Sequence, residues 1–306
     1  MIDKICRFGT AFLGALGAIE LFVWLCEQCK INVAVAPTTF CFILAVLTAT
    51  WFSIDGLCVN GFLIRRVTIK MPHIRTNINI FIGDLLSQGG CAIVPANDFF
   101  DNVVNEDLVA AKSIDGQMIK RFWGGNISGI DAEALRQLEG ETYEAVDRDA
   151  PAKTRRYKLG TSIVLKASEK LRIIWVALTT TDVVTNKTHA DLDDLALAIR
   201  AALIKARNRG NGDVLNIPLM GGGLSRTGMN SAFLLNLLIG IIVDESKKQS
   251  ITESINIVLT KSALEDINLL EVKRNWEVED CGLRWNCRGR VFVYVGRRHG
   301  RRILLW

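Results

Sequence analysis

Residues 214–243 read VLNIPLMGGGLSRTGMNSAFLLNLLIGIIV. An apolar run stops at three consecutive glycines, Gly221 to Gly223, and a long apolar helix begins a few residues later. Bare backbone at the carboxyl end of a strand, aimed at a helix amino terminus, is an anion site, because unpaired N–H groups and the helix dipole converge there. A tight turn alone needs φ > 0 at one or two positions, which a single glycine supplies. Three in succession favour backbone amides held against a diphosphate, with Arg226 adding a charge-assisted contact. The loop is no Walker A motif, since no Gly-Lys-Ser/Thr follows. It is also a poor dinucleotide fingerprint, because Arg226 stands at the third glycine position.

Around this loop the chain alternates. Asn77–Asp84, Cys91–Asp98, Thr161–Ser168, Leu171–Thr179, Asp213–Met220 and Ser254–Thr260 are short, β-branched and bounded by Gly, Asp, Asn or Pro, which predicts strands. Apolar spacing predicts helices over 112–123, 131–139, 189–209 and 229–247. The last is a core helix rather than a membrane span, because its apolar run is too short. Strands alternating with helices specify layered α/β architecture with a mostly parallel sheet. The pair at 161–179 is antiparallel, its connection being too short for a crossover. Ligands of such sheets sit beyond the carboxyl ends of the strands. Three polar strand ends therefore matter: Gly83–Asp84, Pro95–Asp98 and Gly221–Arg226.

The front of the chain is different. Its 306 residues have a mean hydropathy of +0.23, and the apolar residues concentrate at the start. Phe8–Cys26 carries one charge, Glu20, and Ile31–Ile54 carries none. Each is long enough to cross a bilayer core of roughly 30 Å as a helix. The competing reading is a cleaved signal peptide followed by a buried helix, and Lys4 and Arg7 fit its charged start. Against it, the sequence after Trp24 is bulky and polar, and a second uncharged span begins almost at once. The expectation is a two-helix transmembrane hairpin over 1–54 and a connector over 55–75. Basic residues flank both outer ends, so the positive-inside rule places both termini in the cytoplasm. Gly9, Gly14 and Gly17 with Ala11, Ala15 and Ala18 make the first helix small-faced, which allows close packing. Glu20 either faces a bundle interior or water, or is protonated and bonded at a tight helix interface.

Eight cysteines show no zinc spacing, and no metal is expected. Cys26 and Cys29 form a CxxC that suits either a disulfide or two small apolar side chains at the interface. Residues 263–306 form a basic extension. From Cys281 onward it holds seven arginines and no acid against a net charge of +5, so what precedes is net acidic. Tethering to a membrane favours lipid headgroups over nucleic acid as the tail's partner; its arginines also suit a solvated strand face.

Taken singly, Asn97 is a turn former and Asp84 a helix cap, although the first could bond a ribose hydroxyl and the second an exocyclic amine. In order, IGDLLSQGGCAIVPAND followed far downstream by IPLMGGGLSRTG resembles the macrodomain family over residues 76–262. The resemblance implies an α/β/α sandwich, a mixed central sheet flanked by helices, that binds ADP-ribose or a derivative and needs no cofactor. It implies that Asp84, with Leu85, meets the adenine. Asn97, with Asp98, faces the distal ribose, and Gly221, Gly222, Gly223, Leu224, Ser225 and Arg226 wrap the diphosphate.

Departures narrow the resemblance. VPAND keeps only the final Asn97 of the family's Asn-Ala-Ala-Asn. The Gly-rich loop that follows in hydrolytic members is replaced by DFFDNVVNEDLVAAKSIDGQMIKRFW, in which Ser113, Gly116 and Gln117 offer a substitute pocket wall. Two spans plus PANDFFD and SIDGQ are similar to the transmembrane–macro effectors of the Thoeris anti-phage system. In that group a TIR-domain partner makes an ADP-ribose-derived signal from NAD, and the effector compromises the membrane, which here requires a homo-oligomer because one hairpin cannot enclose a pore. Glu20, Gly14 and Gly17 are then the gating residues. The competing class is a membrane-anchored ADP-ribosyl hydrolase or deacetylase, whose base would come from Asp98, Asp101 or His189. Phe99, Phe100, Lys112, Gln117, Thr181 and Asn186 are candidates to read the group beyond the distal ribose.

Overall fold

The computed structural model of the protein describes residues 2–30, 36–72, 74–105, 107–124, 127–221 and 228–277. Gly222, Gly223, Leu224, Ser225 and Arg226, together with the arginine-rich stretch after 277, lie outside the described residues.

Two long helices come first, α1 (Ile2–Gln28) and α2 (Pro37–Ile54), the second running on into a π-helical turn at Asp55–Val59. By length and composition both can cross a membrane, with spans of 24 and 23 residues. They run antiparallel: Phe8 near the start of α1 meets Phe52 near the end of α2, ring to ring at 5.7 Å, and Arg7 lies 3.8 Å from Asp55. Ala11 and Ala15 on α1, and Leu44 and Thr48 on α2, are the buried positions of the pair. The small face therefore divides. Its alanines at 11 and 15 pack within the hairpin, whereas Gly14 and Gly17 are exposed, and an added Cβ at either meets nothing within 4 Å. Glu20 is exposed too, five residues and so about 140° around the helix from Ala15. Cys26 and Cys29 are free thiols and form no disulfide.

The six expected strands are all present, within a larger set: β1 (Arg66–Ile69), β2 (Asn77–Ile82), β3 (Gly90–Asn97), β4 (Tyr143–Ala145), β5 (Arg155–Tyr157), β6 (Ser162–Lys166), β7 (Leu171–Thr181), β8 (Thr188–His189), β9 (Leu215–Pro218) and β10 (Ser254–Leu259). The helices after the hairpin are α3 (Ile114–Trp123), α4 (Ser128–Leu138), α5 (Leu192–Arg209), α6 (Ser231–Lys248) and α7 (Leu269–Trp276). One sheet runs β1-β2-β10-β9-β3-β7-β6, with β8 beside the end of β7. From β2 to β7 every pairing is parallel; β1, β6 and β8 add antiparallel, and β4 with β5 forms a separate hairpin.

Alternation along the strands builds two cores, one on each face of the sheet. Ile93 of β3 and Ile174, Val176 and Leu178 of β7 join the core beneath α5, α6 and α7. Ala92, Val94, Ile173 and Trp175 point the other way, under α3 and α4. This is an α/β/α sandwich. Helix α6 is a core helix, as its length predicts: Leu234, Leu235, Leu238, Ile239 and Ile242 are buried, each worth about 1.5–3 kcal/mol by area.

A polar ladder sets the stagger of the strands. Thr68 Oγ1 donates to Asn79 Oδ1 (2.8 Å), Asn79 Nδ2 to Asn256 Oδ1 (3.0 Å), and Asn256 Nδ2 to Asn216 Oδ1 (2.8 Å). These residues are directly opposite one another in the register of β1, β2, β10 and β9. A slip in any pairing would break the ladder, and one between β9 and β10 would leave Asn216, fully buried, without that partner.

Elements of the sheet and its core also lie outside residues 76–262, at both ends. The connector at 55–75 contains β1, whose Val67 and Ile69 are buried in the sheet core. Beyond 262 lie a 3-10 turn at Ala263–Asp266 and then α7, which packs Leu269 and Val272 into the same core. β1 has a further consequence. It is antiparallel to β2 and pairs Arg66 with Phe81, so the chain leaving the hairpin enters the sheet at the carboxyl end of β2.

Helix α7 ties this junction down. Arg274 donates to the carbonyls of Cys58 and Val59, Asn268 Nδ2 to the Asn60 carbonyl (2.8 Å), and Trp276 Nε1 to Asn236 Oδ1 of α6 (2.8 Å). Gly61 has a φ of +69°, and a Cβ there would stand 2.4 Å from Leu270 Cβ. Gly61→Ala is therefore expected to cost about 1–3 kcal/mol and lower the thermal midpoint by several degrees. An unchanged melting curve would contradict the close approach of α7.

Candidate functional site

Parallel pairing from β2 to β7 brings five strand ends to one edge of the sheet. Asp84 follows β2, Gly221 follows β9, Asn97 closes β3 and Thr181 closes β7. At 4.7–4.9 Å per strand, Asp84 and Asn97 end strands about 14 Å apart, with Gly221 one strand from Asn97.

At the β2 end, Asp84 does the capping its position predicts. Oδ1 accepts from the Leu86 amide (3.0 Å), and Oδ2 accepts from the Ser87 hydroxyl and from Arg121 Nη1 of α3 (2.7 Å). Partial burial opposes ionisation, but the Ser87 hydroxyl, Arg121 and the Leu86 amide outweigh it and hold the carboxyl below its ordinary value. The side chain is still half exposed, so it keeps access to a ligand. Leu85 is buried beneath it.

Gly221 is buried at a φ of +89°, where an L side chain is strained, so the first loop glycine is needed for its backbone. After the loop, Asn230 Oδ1 accepts from the Phe233 amide (2.7 Å) and starts α6.

The β3 end is the most heavily bonded part of the edge. Asn97 Oδ1 accepts from the amides of Phe99 (3.3 Å) and Asp101 (3.0 Å), and Nδ2 donates to Asp101 Oδ2 (2.9 Å). Asp98 is buried, bonded to the Thr181 amide (3.0 Å) and 3.1 Å from Arg156 Nε. Its burial raises the carboxyl pKa, although Thr181 and Arg156 pull it back. Asp101 is 3.0 Å from Arg148, and both side chains are almost wholly buried. Arg148 stacks 4.0 Å from the Phe99 ring centroid, and Arg156 lies 5.0 Å from it.

The expected substitute wall is a helix start. Ser113 Oγ accepts from the Gly116 amide (3.1 Å) and caps α3, while an added Cβ on Gly116 would stand 2.3 Å from the Ala110 carbonyl oxygen. Gln117 is exposed, its amide bonded to the Lys112 carbonyl (2.8 Å), and it lies one turn before Arg121 on the same face. SIDGQ thus runs toward the Asp84 end of the edge.

Two expectations are corrected. Phe99 and Phe100 are buried under the hairpin of β4 and β5 and do not line an open pocket. Asp98 and Asp101 are locked in ion pairs and are not ordinary surface acids, and His189, at the surface as expected, ends a strand instead of starting a helix. The sequence does not point to Arg121, Arg148 or Arg156; each pairs with an acid 37 to 58 residues away, and no local spacing announces that. A cavity of about 570 Å³ opens at the opposite, amino edge of the sheet, lined by Trp123, Glu133, Lys170 and Asp213. Charges on its walls are engaged nearby, Glu133 with Arg136 and Asp213 with Arg172, and it lies away from the edge where α/β sheets bind ligands. Among the described residues no cluster of His, Cys, Asp and Glu could hold a metal.

Residues 78–260 match the family model described as Thoeris protein ThsA, Macro domain. The Thoeris protein ThsA of Bacillus amyloliquefaciens (strain Y2) is 24% identical over 227 residues, covering 70% of this chain and 73% of that protein. Among solved structures, the Oceanobacillus iheyensis macrodomain with ADP is 13% identical, with a TM-score of 0.46, covering 69% of this chain and 100% of its own. The Trypanosoma brucei macrodomain in complex with ADP-ribose is 12% identical, with a TM-score of 0.39, covering 80% and 94%.

Burial pushes the Asp115 carboxyl, in the first turn of α3, up to about 6, although Ser113 and the Gly116 amide bond it. The folded chain then holds this proton more tightly than the unfolded chain, so stability falls as pH rises from about 4 to about 6. Asp115→Asn keeps an acceptor for the Gly116 amide and carries no charge. Melting curves across this window should show the variant overtaking the original as pH rises; parallel curves would contradict the burial.

Proposed function

This chain belongs to the Thoeris ThsA macro-domain family, and from that premise we propose that it is a ligand-gated membrane effector in anti-phage defence. The ligand is an ADP-ribose-type nucleotide, produced from NAD by a TIR-domain partner. Adenine lies against Asp84 and Leu85, the diphosphate against Gly221 to Arg226, and the distal sugar against Asn97 and Asp98. The spacing of the strand ends suits a nucleoside diphosphate that carries a second sugar. Ser113, Gly116 and Gln117 support the wall along α3.

One observation carries the reading. The membrane-hairpin end of the chain joins the sheet at the same edge as the candidate nucleotide loops, with Arg66 paired to Phe81 three residues before Asp84. A ligand there touches the element that leads into α2. To act as a switch it must bind one state of the protein better than another; equal affinity shifts nothing. The second state is an assembly of several copies, since one hairpin cannot line a pore. Its contacts come from the exposed α1 face with Gly14 and Gly17, and an intramembrane Glu20 finds partners or water there. The effector senses the nucleotide rather than turning it over; in support, Asp98 and Asp101 are tied into ion pairs with Arg156 and Arg148.

Full-length protein in liposomes tests this. Calorimetry with ADP-ribose should show binding, and the nucleotide should trigger dye release. Gly222→Leu is expected to abolish both while the protein still inserts. Glu20→Leu should bind normally and change the release. Binding by Gly222→Leu at the original affinity would remove the diphosphate cradle. Release of ADP-ribose from an ADP-ribosylated protein would replace the sensor with a hydrolase.

A further inference from the structure

The loop after β3 is held by a chain of contacts with one arginine at its centre. Arg148 Nη1 donates to Asp101 Oδ2 (3.0 Å) and to the Lys153 carbonyl (2.8 Å), and Nη2 donates to Asn186 Oδ1 (3.0 Å). Three segments meet on this guanidinium: the loop after β3, the β4–β5 hairpin and the turn between β7 and β8. Asp101 Oδ1 also accepts from the Lys153 amide (2.9 Å). Phe100, the residue before Asp101, sits at a φ of +54°, unusual for an aromatic residue, with its ring edge-on to Tyr157 and Trp175. A backbone of that kind persists only where its surroundings over-determine it, and such places cluster at ligand clamps.

The chain ends on Asn97. Its carbonyl oxygen takes two loop amides, and one N–H goes to the same Asp101 oxygen that Arg148 holds. A carboxamide has two N–H donors. One therefore stays uncommitted among the described residues, at the edge of the sheet. We propose that Arg148 is a positioning residue: through Asp101 it fixes the Asn97 carboxamide toward the distal sugar of the nucleotide, without touching the ligand. The inference rests on reading this edge as an ADP-ribose-type site.

The chemistry requires arginine. Asp101 is buried, and removing its paired cation strongly destabilises the carboxylate where it stands, so the Asn97 amide loses its fixed acceptor. Lysine keeps the charge and three donors, but they radiate from one nitrogen, which cannot stand where both Nη1 and Nη2 do, and it has no plane to lie flat on Phe99.

Calorimetry of the full chain in nanodiscs with ADP-ribose and with ADP separates the possibilities, because ADP carries the adenine and diphosphate but no distal sugar. The original protein should bind ADP-ribose more tightly than ADP. Arg148→Lys should lower ADP-ribose affinity about tenfold and leave ADP within about twofold, the scale of one well-placed hydrogen bond. Asn186→Ala, which loosens Arg148 without unpairing Asp101, should narrow the same ratio by less, and it decides the matter if Arg148→Lys does not fold. An unchanged ratio, or equal loss for both nucleotides, overturns the proposal. So does an original protein that binds both equally. If the original protein binds neither, the reading of the edge itself fails, and this proposal falls with it.

Discussion

Parallel pairing of β2, β10, β9, β3 and β7 is the constraint on which the rest depends. It makes every carboxyl end fall on one edge, so residues as far apart in sequence as Asp84 and Gly221 follow strands only two places apart. The asparagine ladder holds that edge level by fixing the stagger of β2, β10 and β9. Antiparallel β1 then delivers the membrane end of the chain to the same edge. The carboxyl strand ends and the junction with the helical hairpin are adjacent because of strand direction.

The edge itself is uneven. At the β2 end Asp84 is half exposed and paired with a surface arginine, an arrangement that a ligand can join or displace at small cost. At the distal end the loop after β3 is buried, ion-paired and stacked under the β4–β5 hairpin. Phe99, Phe100 and Asp101 make this a segment that is held in place.

Much of this was legible in the sequence, for reasons of range. Strands β2, β3, β9 and β10 announce themselves through local β-branched runs, and the glycines through their number. β1 is hidden because RRVTIK reads equally well as charge lying on a membrane surface. Helix α7 is too short to carry a strong period, and its role emerges only where Trp276 reaches Asn236 and Arg274 reaches Cys58. Long-range ion pairs leave no local pattern, so Asp101 looks like a free acid until Arg148, forty-seven residues on, is seen against it. The adjacent aromatics looked like pocket lining for the same reason: nothing nearby in sequence shows what covers them.

Helix α7 is the bridge in this account. It touches α6, which begins just after the glycine loop, and the π-helical turn that ends α2. Amide hydrogen exchange on the full chain in nanodiscs, with and without ADP-ribose, tests the central claim most directly. Protection is expected to change at the carboxyl edge of the sheet and also at residues 55–64 and 268–276. Changes confined to the edge, with the junction and α7 exchanging as before, would contradict it.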